Sequence, residues 1–146
     1  ELDALAAYVA SLGKDSVKRS PYRTYTGELT LAAERGQQLF TTLNCASCHT
    51  GQAFRDGQSH DVGTISETSG NRLAGELSVI RTPTLIELWE TAPYFHDGSA
   101  ATLNDVFDVA GHQLTFTGSQ EADLIEFLRS IDQELFIDDE AEFPES

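Results

Sequence analysis

The sequence predicts an all-α domain. Apolar residues recur at helical spacing in several separate segments, capping signals precede three of them, and no strand pair flanks a hairpin turn. The first segment carries Leu2, Leu5, Ala6, Val9 and Leu12, with Gly13 as its stop. A polar linker over 14–28 follows, interrupted by Pro21. Thr30 caps the second helix, whose face is Leu31, Leu39, Phe40 and Leu43. Residues 50–76 then turn to Gly, Ser, Thr and Asp, a loop long enough to have a function or to lie against a ligand.

Helical character resumes from Thr84 to Glu90 with Leu85, Leu88 and Trp89, and Pro93 closes it. Thr102 caps a short helix carrying Leu103, Val106 and Phe107. Thr117 and Gln120 fit a capping box for the last helix, with Leu124, Ile125, Leu128 and Ile131 on its apolar face. Residues 1–137 read as one domain, and 138–146, acidic and containing Pro144, as a solvated tail.

Composition narrows the function. At 146 residues, 40% hydrophobic and 23% charged, the chain has the make-up of a single packed domain. No apolar run reaches the roughly 18 residues that a membrane span needs. Twenty-four acidic residues against nine basic ones give a net charge of -15. That field repels nucleic-acid backbones and favours a basic protein patch as partner. The chain opens on Glu1, with neither initiator Met nor signal peptide, and reads as a mature or excised domain.

Its two cysteines stand in Cys45-Ala46-Ser47-Cys48-His49. The spacing C-x-x-C-H marks the attachment of a c-type haem. Two thioethers form along one porphyrin edge, and the next residue offers an imidazole to the iron. A structural zinc site needs four ligands, and here there is no third cysteine and the other histidines are scattered. A thioredoxin-like pair needs a βαβ setting that nothing before Cys45 supplies. A disulfide closing so short a loop would restrain the unfolded chain little. The reading is therefore a cytochrome c-like helical domain around one covalently bound haem, with long irregular loops. Thioether formation places it outside the cytoplasm, periplasmic or extracellular.

A resemblance covers almost the entire chain. Arg81-Thr82-Pro83-Thr84-Leu85 and Thr91-Ala92-Pro93-Tyr94-Phe95-His96-Asp97-Gly98-Ser99 resemble the C-terminal haem domain of bacterial di-haem cytochrome c peroxidases and their MauG relatives. Leu5 to Val9 is similar to that domain's first helix, and Ala33 to Phe40 to the helix before its haem motif. The resemblance implies the electron-delivering half of such a peroxidase. The peroxidatic half carries its own attachment motif, and this chain has one motif only.

The resemblance also implies a distal Met or Tyr, and the chain contains no Met. The expected position falls near Ala110, two residues before His112. His112 is the first candidate for the distal ligand and His60 the second, with a vacant, water-bound or Tyr-ligated iron as the remaining case and Tyr94 as the nearest phenol. Pro83 is expected to offer its carbonyl to His49, and Arg81 and Arg72 are candidate propionate partners. Trp89, Phe95 and Phe107 are expected to wall the pocket, and His96 to hold loops together with Asp97 as a local partner.

Two imidazoles saturate an iron and suit one-electron transfer, with a potential below that of His/Met relatives. An open face would instead suit a peroxidase-like enzyme or a gas sensor. By analogy with cytochrome domains attached to carbohydrate-binding modules, a copper-dependent polysaccharide mono-oxygenase is one candidate acceptor.

Overall fold

The core is organised by two helices that meet at a glycine. The structure, a computed structural model, describes residues 1–11, 18–72 and 75–132. Leu12, Gly13, the side chain of Arg72 and the 138–146 tail lie outside the described residues. α1 spans Leu2–Ser11 and α2 spans Leu31–Thr42. The Thr30 side chain caps α2 by accepting the Ala33 N–H at 3.1 Å. α2 buries Ala33, Gly36 and Phe40, so its contact face is set by these rather than by Leu31, which is 75% exposed.

α3 is a single turn, Leu103–Val106, and α4 spans Gln120–Ser130. Thr102 and Asp105 close a reciprocal capping box on α3. Gln120 reaches back to the Thr117 N–H and hydroxyl, each at 2.8 Å, as expected, although the helix begins at Gln120 itself with Ser119 as its N-cap. Leu124, Ile125, Leu128 and Ile131 are all buried, joined by Phe127.

A Cβ on Gly36 would land on the Asp123 carbonyl and on Phe127, so only glycine lets α2 and α4 approach this closely. Phe127 packs edge-on against Phe40, with ring centroids 5.4 Å apart, and Phe40 against Phe54 at 5.9 Å. Outside this contact, Arg35 forks onto Asp123 at 2.8 and 2.6 Å. At the far end of α4 a second pair, Arg23 Nε to Asp132 Oδ2 at 3.0 Å, is buried on both sides and ties the linker to the helix terminus.

Three expectations change. α1 forms where the periodicity puts it but buries nothing, and Leu2, Leu5, Tyr8 and Val9 stand more than half exposed. The 84–90 segment is not a helix, and only Leu88–Glu90 makes a single 3-10 turn. Glu87 takes a left-handed φ of 62°, and the Thr84 hydroxyl donates to the Ala53 carbonyl at 2.7 Å, so the segment runs as a strap. Among the described residues, four two-residue strands appear where no pairing is expected. β1 (Ser59–His60) pairs antiparallel with β4 (Ile80–Arg81), and β2 (Asn71–Arg72) with β3 (Gly75–Glu76). No helix among the described residues is long and apolar enough to cross a membrane.

Candidate cofactor site

The attachment motif is placed by the end of α2. Asn44 reverses the chain in the left-handed region at φ 62°, a conformation asparagine tolerates better than most residues. One 3-10 turn, Cys45–Ser47, follows. The Cys45 carbonyl accepts both the Cys48 N–H at 3.3 Å and the His49 N–H at 3.0 Å. This turn brings both cysteines, half-buried and without a disulfide, to the lining of one cavity. Burial pushes the Cys45 thiol pKa up.

That cavity has a volume of about 630 Å³, within the usual range for cofactor sites. Its walls are mainly apolar and include Leu43, Ile86, Leu103, Val106, Phe107 and Leu128. They come from the end of α2, the 84–90 strap, α3 and α4.

His49 and His112 face one another across this space, with ring centroids 6.4 Å apart and ring planes at 43°. Two imidazoles bound to one metal from opposite sides, each nitrogen at about 2 Å, set their centroids roughly 6 Å apart. The spacing therefore accommodates an iron. His49 Nδ1 lies 3.1 Å from the Phe54 carbonyl, so donation there leaves Nε2 as the lone-pair nitrogen. The Pro83 carbonyl, expected in this role, also acts on the His49 ring, but after that of Phe54. Burial lowers the pKa of His49, and burial followed by the neighbouring His49 lowers that of His112. Both rings are thus kept in the neutral form that binds metal.

A close backbone contact holds His112 in position. It ends the 3-10 turn Ala110–His112, and the Gly111 N–H donates to the Val62 carbonyl at 3.0 Å. A Cβ on Gly111 would strike the Val62 backbone. The Nδ1 of His112 is buried and has no hydrogen-bond partner among the described residues.

His60 also lines the cavity, but its Nε2 is engaged by Asp56 Oδ2 at 2.7 Å. That bond holds the Asp56 carboxyl down at about 2. Cys48, Asp56 and His60 bring their donor atoms within 4.8 Å of one another, which sets His60 beside the attachment turn. Arg81, Pro83 and Phe95 line the cavity, and the Phe95 ring lies 5.7 Å from that of His112. Trp89 is half-buried and is not part of the lining; its neighbour Leu88 takes that place. The Tyr94 phenol donates to the Leu88 carbonyl at 2.9 Å, and burial raises its pKa. His96 ties loops together through Ser69 at 3.0 Å, while Asp97 accepts the Ser99 N–H at 3.1 Å. Sequence reasoning missed the Phe54 carbonyl and the seat of Gly111 on Val62. No side-chain signal marks the first, whereas the glycine before His112 marks the second.

Two thiols on the lining of an apolar cavity and two opposed neutral imidazoles fit a c-type haem. They place the chain in the class of haem-binding cytochrome domains. A profile of the di-haem cytochrome c peroxidase family matches residues 36–138, and the chain belongs to that family. It is similar to hydrazine synthase subunit gamma of Kuenenia stuttgartiensis, 30% identical over 174 residues, covering 89% of this chain and 48% of the relative. It is similar to cytochrome c551 peroxidase of Nitrosomonas europaea, 32% identical over 110 residues, covering 66% of this chain and 33% of the relative. Among solved structures, hydrazine synthase of Kuenenia stuttgartiensis superimposes with a TM-score of 0.66 at 28% identity, covering 79% of this chain and 51% of that one. The chain therefore spans about half or less of the length of these relatives.

Proposed function

We propose that this domain is a one-electron relay holding a single haem c, covalently linked through Cys45 and Cys48 and ligated by His49 and His112. When bound, the haem supplies a one-electron iron couple. The observation that carries this reading is the 6.4 Å opposition of two neutral imidazoles across the cavity. The protein's part is to hold that pair. The Phe54 carbonyl fixes the tautomer of His49, and the Val62–Gly111 contact fixes the turn that carries His112. The apolar walls exclude water, which keeps the site rigid when the charge at the iron changes.

The reading makes the domain the counterpart of the electron-delivering, C-terminal half of a di-haem peroxidase, working outside the cytoplasm. The net charge of -15 favours a redox partner that presents a basic patch. Arg81, exposed on the cavity wall, is suited to pair with a propionate.

One observation favours a second reading, a haem enzyme or sensor. His112 Nδ1 has no anchoring partner among the described residues, so His112 is held less firmly than His49 and is the ligand that a diatomic gas or peroxide would displace. Intact mass and optical spectra of the holoprotein test both. The relay requires one covalent haem and a low-spin spectrum in both oxidation states, unchanged by carbon monoxide or cyanide. Rapid ligand uptake, or high-spin iron, would establish the second reading instead.

A further inference from the structure

His60 and Asp56 form a titratable pair at the edge of the cavity that the relay as described leaves without a role. The β1–β4 pairing sets His60 opposite Ile80, and both residues line the cavity. One Asp56 oxygen lies 2.7 Å from His60 Nε2, and the other accepts the Gln58 N–H at 2.8 Å. With its carboxyl held down at about 2, Asp56 is an anion at any working pH.

The state of the His60 ring follows from that partner. An ionised carboxylate only accepts, so Nε2 carries the hydrogen and donates it, and Nδ1 keeps the lone pair. The side chain is 38% exposed, so the ring is open to proton exchange with water. Charge placed here reaches the proximal ligand: a positive His60 opposes positive charge on the His49 ring, and Asp56 favours it. The Cys48 sulfur lies within 4.8 Å of the Asp56 and His60 donor atoms, and as a thioether it has no proton to titrate. Arg81, paired with Ser59, is the cation of the facing strand, and Asp61, the next residue in the chain, accepts the Gly63 N–H at 2.9 Å. Among these side chains, an imidazole free of metal is the one whose charge changes between pH 5 and 8.

We propose that His60 is a redox-linked proton site: its Nδ1 takes one proton from water as the haem takes one electron, and returns it when the electron leaves. The inference rests on the haem reading above and leaves iron ligation to His49 and His112. Reduction removes one positive charge from an apolar space, where charges are screened far less than in water. A repulsion that opposes a cation at His60 is thereby relieved, and Asp56 supplies the counter-charge. Electron and proton then arrive together, the net charge of the site stays constant, and each oxidation of the relay releases a proton to solvent.

The test is the reduction potential of the holoprotein followed from pH 5 to pH 8, with one covalent haem verified by intact mass and the Soret spectrum recorded for every variant. The wild-type potential is expected to fall as pH rises, by up to about 59 mV per unit, the equivalent of one proton per electron. His60→Gln keeps an N–H donor for Asp56 but cannot take the proton, so its potential should lose most of that slope while the iron stays low-spin. Asp56→Asn removes the counter-charge and should move the sloping region to lower pH. A wild-type potential independent of pH would overturn the proposal, as would a slope in His60→Gln as steep as that of wild type or an Asp56→Asn profile identical to it. High-spin iron in His60→Gln would make His60 a ligand and overturn it too. Absence of haem from the wild-type mass would overturn the haem reading and this proposal with it.

Discussion

Gly111 rests on the backbone of Val62, close enough that the Gly111 N–H donates to the Val62 carbonyl at 3.0 Å and no Cβ fits between them. The next residue is His112. The loop after β1 is therefore what sets the height of the second imidazole above His49, and the two sides of the cofactor cavity are fixed by separate stretches of backbone.

Gly111→Ala tests this placement. Its methyl group would collide with backbone, which cannot rotate aside, so overpacking should cost about 1–3 kcal/mol and displace the turn. Thermal unfolding of the holoprotein is expected to fall accordingly, with partial loss of the low-spin signal. A variant as stable as wild type with an unchanged spectrum would show that the Val62 contact does not position His112.

Gly36→Ala probes the core independently of the cofactor. The added methyl would meet the Asp123 carbonyl and Phe127, forcing α2 and α4 apart. Denaturant unfolding should show a loss of about 1–3 kcal/mol or more, while spin state and potential in the surviving folded fraction stay close to wild type.

Acid sensitivity has an identifiable source. Arg35 holds the Asp123 carboxyl below its ordinary value, and Ser119 adds a hydrogen bond at 3.0 Å. A depressed carboxylate contributes stability that is fully present above its unfolded pKa, near 4, and is lost as pH falls through the lower folded value. Asp56, held at about 2 by His60, behaves in the same sense. Melting temperature followed downward from pH 6 should drop most steeply below pH 4. In Asp123→Asn that drop should be shallower, from a lower starting stability. An acid limb identical in the variant would remove Asp123 as a contributor.

Two properties of the proposed relay follow from charge and ligation. A bis-imidazole iron should titrate at a lower potential than a His/Met iron, because Met ligation raises the potential. Spectroelectrochemistry giving a value typical of His/Met cytochromes would contradict it. Electron exchange with a basic partner protein should slow as ionic strength rises, since the attraction of a -15 chain is screened over about 10 Å at 0.1 M salt.

Much of the site was legible because its chemistry is written in short local strings. Cys45, Cys48 and His49 are fixed by spacing along one turn, and His112 stood out in a chain without Met. The caps at Thr30 and Thr102 and the buried face of α4 were legible for the same reason, since each signal lies within a few residues of its effect. What escaped depends on backbone conformation and pairing that no side-chain pattern records. The Phe54 carbonyl reaches His49 only after the chain turns back within five residues, and Trp89 is not part of the cavity lining in a segment whose helical period is broken by the left-handed Glu87. β1 and β4 pair across twenty residues, and each is too short to leave an alternating pattern. α1 carries an amphipathic pattern with no partner within the described fold, so its periodicity says where it is helical and nothing about where it packs.

The most direct test of the account is the optical spectrum of the His112→Ala holoprotein beside that of His60→Ala. The account requires the first to become high-spin and to take up carbon monoxide when reduced, and the second to remain low-spin like the wild type. A low-spin His112→Ala protein that ignores carbon monoxide would show that another group holds the iron opposite His49, and the bis-imidazole relay would have to be abandoned.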